Sequence, residues 1–202
     1  VSPAARGLAA LIALVALIAL VAQLTLVGPD PAGRTDTLAR IWVLLRFFTI
    51  LSNLFLGGVM LAVAAGSRPG PDLLATVTLA ILMVGGVYHT LLAQDLSGLA
   101  WWADHGLHTA TPLLAAGWWL AFGGHDLRLS RLWVWLIWPT AYCLYALARG
   151  QIDGVYPYFF VDVGRLGWVQ VGLNIAGLVA AFAAAGVVLW GIARALGRTA
   201  AA

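Results

Sequence analysis

Six apolar stretches divide this chain, at roughly 8–27, 41–65, 73–93, 106–122, 131–148 and 168–193. A helix needs about 20 predominantly apolar residues to cross ~30 Å of hydrocarbon. The fourth and fifth stretches barely reach that length. Polar breaks separate the six: GPDPAGRTD, GSRPGPD, QDLSG, GGHDLRLS and the long ARGQIDGVYPYFFVDVGR. Of the 202 residues, 62% are hydrophobic and 9% charged, with a mean hydropathy of +0.95. That leaves too little polar side chain to cover a water-facing surface, and lipid-exposed backbone must satisfy itself as helix or closed barrel. The expectation is an all-α polytopic membrane protein, a six-transmembrane helix bundle forming one domain over 1–202.

The first stretch is read as a retained helix. Its apolar run is too long for a signal peptide, and no small-x-small cleavage site precedes Pro29. The eleven basic residues are all Arg and the eight acids all Asp, a pattern of GC-rich coding that hints at a bacterium. The net charge of +3 is spread over loops, whereas a nucleic-acid binder would cluster it. The lone Cys143 offers no intrachain disulfide and no cysteine metal cluster.

With six spans both termini share one side. That side carries Arg6, Arg68, Arg128, Arg131, Arg194 and Arg198 against Asp72 and Asp126. The other carries Arg34, Arg40, Arg149 and Arg165, with Arg46 just inside the second stretch, against six Asp. The positive-inside rule then puts both termini in the cytoplasm of a bacterial plasma membrane. In the last stretch Ala176, Ala180 and Ala184 recur at four-residue spacing, which suits close helix packing. Pro112 and Pro139 are expected to kink the fourth and fifth spans.

Ionisable groups within lipid are expensive, which makes each a functional question. They gather toward the outer side: Arg46, Thr49, Ser52 and Asn53 in the second stretch, His89 in the third, and Asp104, His105 and His108 opening the fourth. Asn174 opens the sixth, and the loop before it holds Arg149, Asp153, Tyr156, Asp162 and Arg165. Spacings of three and four put Arg46, Thr49 and Asn53 on one helix face. The ordinary role for Thr49 is a hydroxyl bonded back to the Leu45 carbonyl. For DHGLHT three readings stand: an interfacial cap with Asp104 as N-cap, a metal site from His105, His108, His89 and an Asp, or a histidine base serving a hydroxyl nucleophile. In a straight second helix Thr49 lies ~12 Å below the outer end, about one turn deeper than His108.

RFFTILSN (46–53) and DHGLHT (104–109), followed by Pro112 and later VYP (155–157), resemble the androgen-induced and androgen-dependent integral membrane hydrolases. The animal members of that family are multipass threonine hydrolases that cleave esters of fatty acids with hydroxy fatty acids, and prokaryotic six-pass relatives of unknown role, which this chain resembles, belong with them. The resemblance implies a nucleophile at Thr49 and a base at His108. It aligns His105 with the family's first histidine, Thr109 with the following threonine, and Tyr156 and Pro157 with its loop Tyr-Pro. Asp104 stands where the family has Asn, and the step from the second His to the following Pro is one residue shorter. Arg46, Asn53, Asp104, His105 and Tyr156 are the accompanying candidates: Asn53 or His105 for the oxyanion, Arg46 for a carboxylate or phosphate, Asp104 to orient a histidine. The implied partner is a lipid ester within the bilayer, with no cofactor, no metal and no nucleic acid. The competing class is a non-catalytic membrane protein or a small-solute or proton-coupled transporter, for which the chain offers no paired broken helices and no inverted repeat.

Overall fold

The computed structural model describes residues 1–199 and is helical throughout, with no strand among the described residues. The helices are α1 (Pro3–Leu26), α2 (Thr37–Leu44), α3 (Phe48–Ala64), α4 (Pro71–Val87), α5 (Gly98–His105), α6 (Thr111–Phe122), α7 (Leu132–Trp135), α8 (Ile137–Asp153) and α9 (Val163–Thr199). Two π turns interrupt the pattern, Tyr88–Leu92 after α4 and Gly106–Ala110 between α5 and α6. The side chain of Arg198, counted above on the basic side, lies outside the described residues.

Among the described residues three helices are long and apolar enough to cross a membrane: Pro3–Leu26, Pro71–Leu92 and Val163–Gly197. The second apolar stretch is bent. Helices α2 and α3 meet at 97°, and as one broken span they would make a fourth. The fourth stretch is the π turn at 106–110 running into α6, continuous with α5 before it, and the fifth is divided between α7 and α8. Leu136 marks that division, and Pro139, three residues on, lacks the N–H that would bridge it. Pro112 sits just after the π turn at 106–110, inside the first turn of α6.

The bend at 45–47 contains neither Gly nor Pro, and its cause lies on α8. Phe47 is extended (φ −91°, ψ 134°), which leaves carbonyls at the end of α2 without helical partners. Tyr142, Tyr145 and Arg149 recur along α8 at spacings of three and four, and they supply those partners. The Tyr142 hydroxyl donates to Arg46 O at 2.9 Å and the Tyr145 hydroxyl to Leu45 O at 3.0 Å. Arg149 donates to Trp42 O and lays its guanidinium over the Trp42 ring, 3.8 Å from the centroid. In a lipid environment such polar ties hold helices where apolar burial alone does not discriminate.

Tight packing completes the scaffold. Ile12, Leu56, Met60, Val77, Ile81, Trp119 and Trp135 are buried in one apolar core built from α1, α3, α4, α6 and α7. The Trp118 indole donates to Ala5 O at 2.9 Å and the Trp138 indole to Ser52 Oγ at 3.1 Å. At the opposite end from the polar cluster, Asp72 accepts from Arg131 at 3.1 Å and from the Trp135 indole at 3.0 Å. The alanine stripe of α9 does not join this core. Ala176, Ala180 and Ala184 are exposed, and α9 packs instead through Val171, Phe182, Leu189 and Ala193.

Candidate active site

The bend places Thr49 in the first turn of α3, next to its extended N-cap Phe47. Thr49 therefore sits at the head of α3 and not a further turn down a straight helix, which removes the depth mismatch expected above. Its Oγ1 is 3.2 Å from His108 Nε2. The bond back to Leu45 does not form, because residue 45 lies beyond the break and its carbonyl accepts from Tyr145.

His108 belongs to the π turn, which shifts side-chain directions relative to a regular helix. Its Nδ1 is 3.0 Å from Asp104 Oδ1 and 3.1 Å from the Asp104 carbonyl oxygen. Both partners are acceptors, so the ring proton belongs on Nδ1 and the lone pair of Nε2 faces Thr49. Tyr88, from the π turn after α4, stacks on the His108 ring at 3.9 Å and 13°, and its hydroxyl, which accepts from Gln94 N–H at 3.4 Å, lies near Asp104. Asp104 does not cap a helix. Helix α5 starts six residues earlier, at Gly98 with Ser97 as N-cap, and Asp104 lies in its last turn. The three side chains form a hydroxyl–imidazole–carboxylate relay, the arrangement by which a neutral hydroxyl is activated for attack.

The remaining sequence candidates divide. Asn53 is fully buried. It donates to Thr49 O at 2.9 Å and Leu107 O at 3.3 Å, and accepts from Thr111 Oγ1 at 2.8 Å. With both amide hydrogens committed it is a strut between α3 and the His108 turn, not an oxyanion donor. Arg46 leaves the Thr49 face because the helix breaks between them. It is 4% exposed and pairs with Asp153 at 2.6 Å. Arg149 and Asp153, expected in a loop, are instead the last turns of α8, which ends at Gly154 with φ +71°. His105 turns outward, stacks on Trp101 at 3.9 Å and bonds Trp101 O at 3.0 Å. His89 Nε2 is 3.0 Å from Thr109 Oγ1. Because His105 faces away, the histidines do not converge, and no group of three metal-ligating side chains gathers among the described residues.

Tyr156 packs its ring against Gly150, where a Cβ would clash, and its hydroxyl bonds Gln151 at 2.5 Å. The tyrosine at the site is Tyr158, which sequence reasoning missed. Phe48 N–H donates to its hydroxyl at 3.1 Å, and the same hydroxyl is within hydrogen-bond reach of Thr49. The loop that carries it is held by Asn174, which donates to Phe160 O at 2.8 Å.

Two cavities meet at Thr49. One is narrow and almost wholly apolar, lined by Phe48, Met83, Pro139, Cys143, Leu178 and Phe182 among others. The other is an open vestibule bounded by Gln23, Gln94, Asp104, His108 and Pro157 among others. Thr49, Tyr88, Leu92 and Tyr158 line both.

No family model, curated protein or solved structure matches the chain. The family resemblance therefore rests on the three sequence patches alone, and function is argued from the site.

Proposed function

We propose that this protein is an intramembrane hydrolase of fatty-acyl esters, with Thr49 as nucleophile and His108 as general base. The observation that carries the reading is the 3.2 Å contact of Thr49 Oγ1 with His108 Nε2, backed by Asp104 and set where an apolar cavity meets a more open vestibule of mixed lining. The acyl chain would lie toward the apolar lining around Phe48, Met83 and Leu178, and the alcohol part toward the vestibule. His108 Nε2 takes the Thr49 proton as Oγ1 bonds to the ester carbon and the carbonyl electron pair moves onto oxygen. The Tyr158 hydroxyl, which accepts from Phe48 N–H, would donate to that oxyanion. Collapse expels the alkoxide, which takes the proton from His108 and leaves an acyl-threonine. Water, deprotonated by His108, then releases the fatty acid and returns the hydroxyl to Thr49.

The polar cluster lies in the outer half of a six-crossing bundle with both termini cytoplasmic, in a bacterial plasma membrane. Support comes from the three span-length helices, the bent α2–α3 pair and the arginine bias. In a Cys143→Ala background, Arg34→Cys should react with an impermeant maleimide from outside and Arg128→Cys only after permeabilisation.

The reaction itself is tested with a fluorophosphonate probe on purified protein. Wild type should be labelled and Thr49→Ala should not; equal labelling of the two would remove Thr49 from the nucleophile position.

A further inference from the structure

The charge inventory around the vestibule speaks to which ester fits. Its lining contains the carboxylate of Asp104, the neutral amides of Gln23 and Gln94, and no arginine among the described residues. The arginines of this end are engaged elsewhere. Arg34 pairs with Asp30 at 2.7 Å. Arg40 donates to Thr25 O at 3.1 Å and Thr35 O at 3.0 Å. Arg46 is sealed against Asp153, and Arg149 is held by Trp42 and Tyr145. Arg165 is exposed and lines neither cavity.

A substrate carboxylate in this vestibule would meet the Asp104 carboxylate with no cation to offset it. Like charges in a partly desolvated cleft repel more strongly than in water. An uncharged alcohol part meets amide donors and acceptors from Gln23 and Gln94 and incurs no such cost. We infer that the site selects esters whose alcohol part is uncharged and discriminates against those carrying a free carboxylate. This rests on the hydrolase reading and departs from two sequence expectations: Arg46 as a holder of a carboxylate or phosphate, and the hydroxy fatty acid esters implied by the resemblance.

The test is a matched pair: a palmitate ester of a hydroxy fatty acid, offered as the free acid and as its methyl ester. Hydrolysis by purified wild type in neutral detergent is compared as kcat/KM, and binding to wild type and to Thr49→Ala is measured by calorimetry. The methyl ester should be favoured at least about tenfold, which corresponds to 1.4 kcal/mol. Gln94→Arg, which puts a cation at the vestibule, should pull that ratio toward one or invert it. Because the readout is a ratio within each protein, a general loss of activity does not obscure it. Equal or faster cleavage of the free acid by wild type would overturn the inference and leave the hydrolase reading standing. Preferential binding of the methyl ester without cleavage of either would do the reverse. Binding of neither compound would overturn both.

Discussion

Thr49 Oγ1 and His108 Nε2 stand 3.2 Å apart although 59 residues separate them in the chain. The contact is maintained by the backbone on either side of it. Asn53 bonds the carbonyl of Thr49 itself and the carbonyl of Leu107, next to His108. One buried amide thus fixes the distance between the two elements that carry the reactive groups.

Asn53→Leu removes that strut. Carbonyls of Thr49 and Leu107 lose a donor, and Thr111 Oγ1 loses one of its two acceptors, keeping Leu107 O. Interhelical hydrogen bonds of this kind contribute about 0.6 kcal/mol on average in membrane proteins, and up to ~1.7 kcal/mol. The variant should unfold at lower temperature in detergent and lose most of its fluorophosphonate labelling while retaining Thr49. Labelling at the wild-type rate would show that the strut does not set the geometry.

Asp104→Asn separates orientation from charge with little change of shape. The amide lets the ring hold its proton on Nε2, and an Nε2–H cannot accept from Thr49. The labelling rate should fall about 10²–10⁴-fold, the usual range for loss of a positioned base. Thermal stability should change far less than for Asn53→Leu. A rate near that of wild type would reduce Asp104 to a structural partner of Tyr88.

The helical content and the clustering of polar residues at one end were legible in the residues, because apolar run length and the placement of His, Asp and Arg are local properties. The pairing of Thr49 with His108 was suggested by resemblance, but its geometry was not accessible. A helix was read straight through 41–65 because LLRFF holds no Gly or Pro. The partners that make the break tolerable, Tyr142, Tyr145 and Arg149, lie about a hundred residues away. Their three- and four-residue spacing was visible, but only the fold shows which carbonyls they meet. The two π turns carry no composition signature either, and they decide that Tyr88 stacks on His108. Tyr158 was passed over for Tyr156, two residues away in the same loop. Which of the two faces Thr49 depends on Gly150 receiving the other's ring.

Close packing also sets where His108 can stand. A Cβ on Gly106 would lie 2.6 Å from Ala19 Cβ, and one on Gly85 would lie 3.0 Å from the carbonyl oxygen of His108. Helices α1 and α4 therefore hold the His108 turn from both sides. Gly106→Ala should push the turn away from α1, lower labelling at least about tenfold and destabilise by about 1–3 kcal/mol, as overpacking does. Pairing it with Ala19→Gly should restore both, since the opposing methyl is then gone. Failure of that rescue would place the defect elsewhere in the turn.

The loop after α1 has its own acid sensitivity. Asp30 accepts from Arg34 Nε at 2.7 Å and from the backbone N–H groups of Arg34 at 2.8 Å and Ala32 at 3.0 Å. The Arg34 side chain, then these backbone donors, hold the Asp30 carboxyl below its ordinary value. A carboxylate depressed on folding contributes its full stabilisation above the unfolded value, ~3.9, and loses it as pH falls through the folded one. Amide exchange at Ala32 and Arg34, corrected for intrinsic rates, should stay slow at neutral and mildly acidic pH and accelerate only below pH ~4. Asp30→Asn should abolish that pH dependence, and a dependence that survives the substitution would exclude Asp30 as its source.

Tyr158→Phe isolates the proposed oxyanion donor. Its hydroxyl accepts from Phe48 N–H, which leaves its own proton for a developing oxyanion. Phenylalanine keeps the ring stacked against Phe160 at 5.2 Å and edge-on to Phe47 at 6.1 Å, so the loop and the cavity wall are preserved. Loss of one such donor costs about 10²–10³ in kcat, because the charge it meets exists only in the transition state. The signature is therefore a fall in kcat with KM nearly unchanged on a neutral ester substrate. A rise in KM at constant kcat would instead make Tyr158 a wall of the substrate cavity. The two outcomes separate because ground-state and transition-state contacts affect those constants differently.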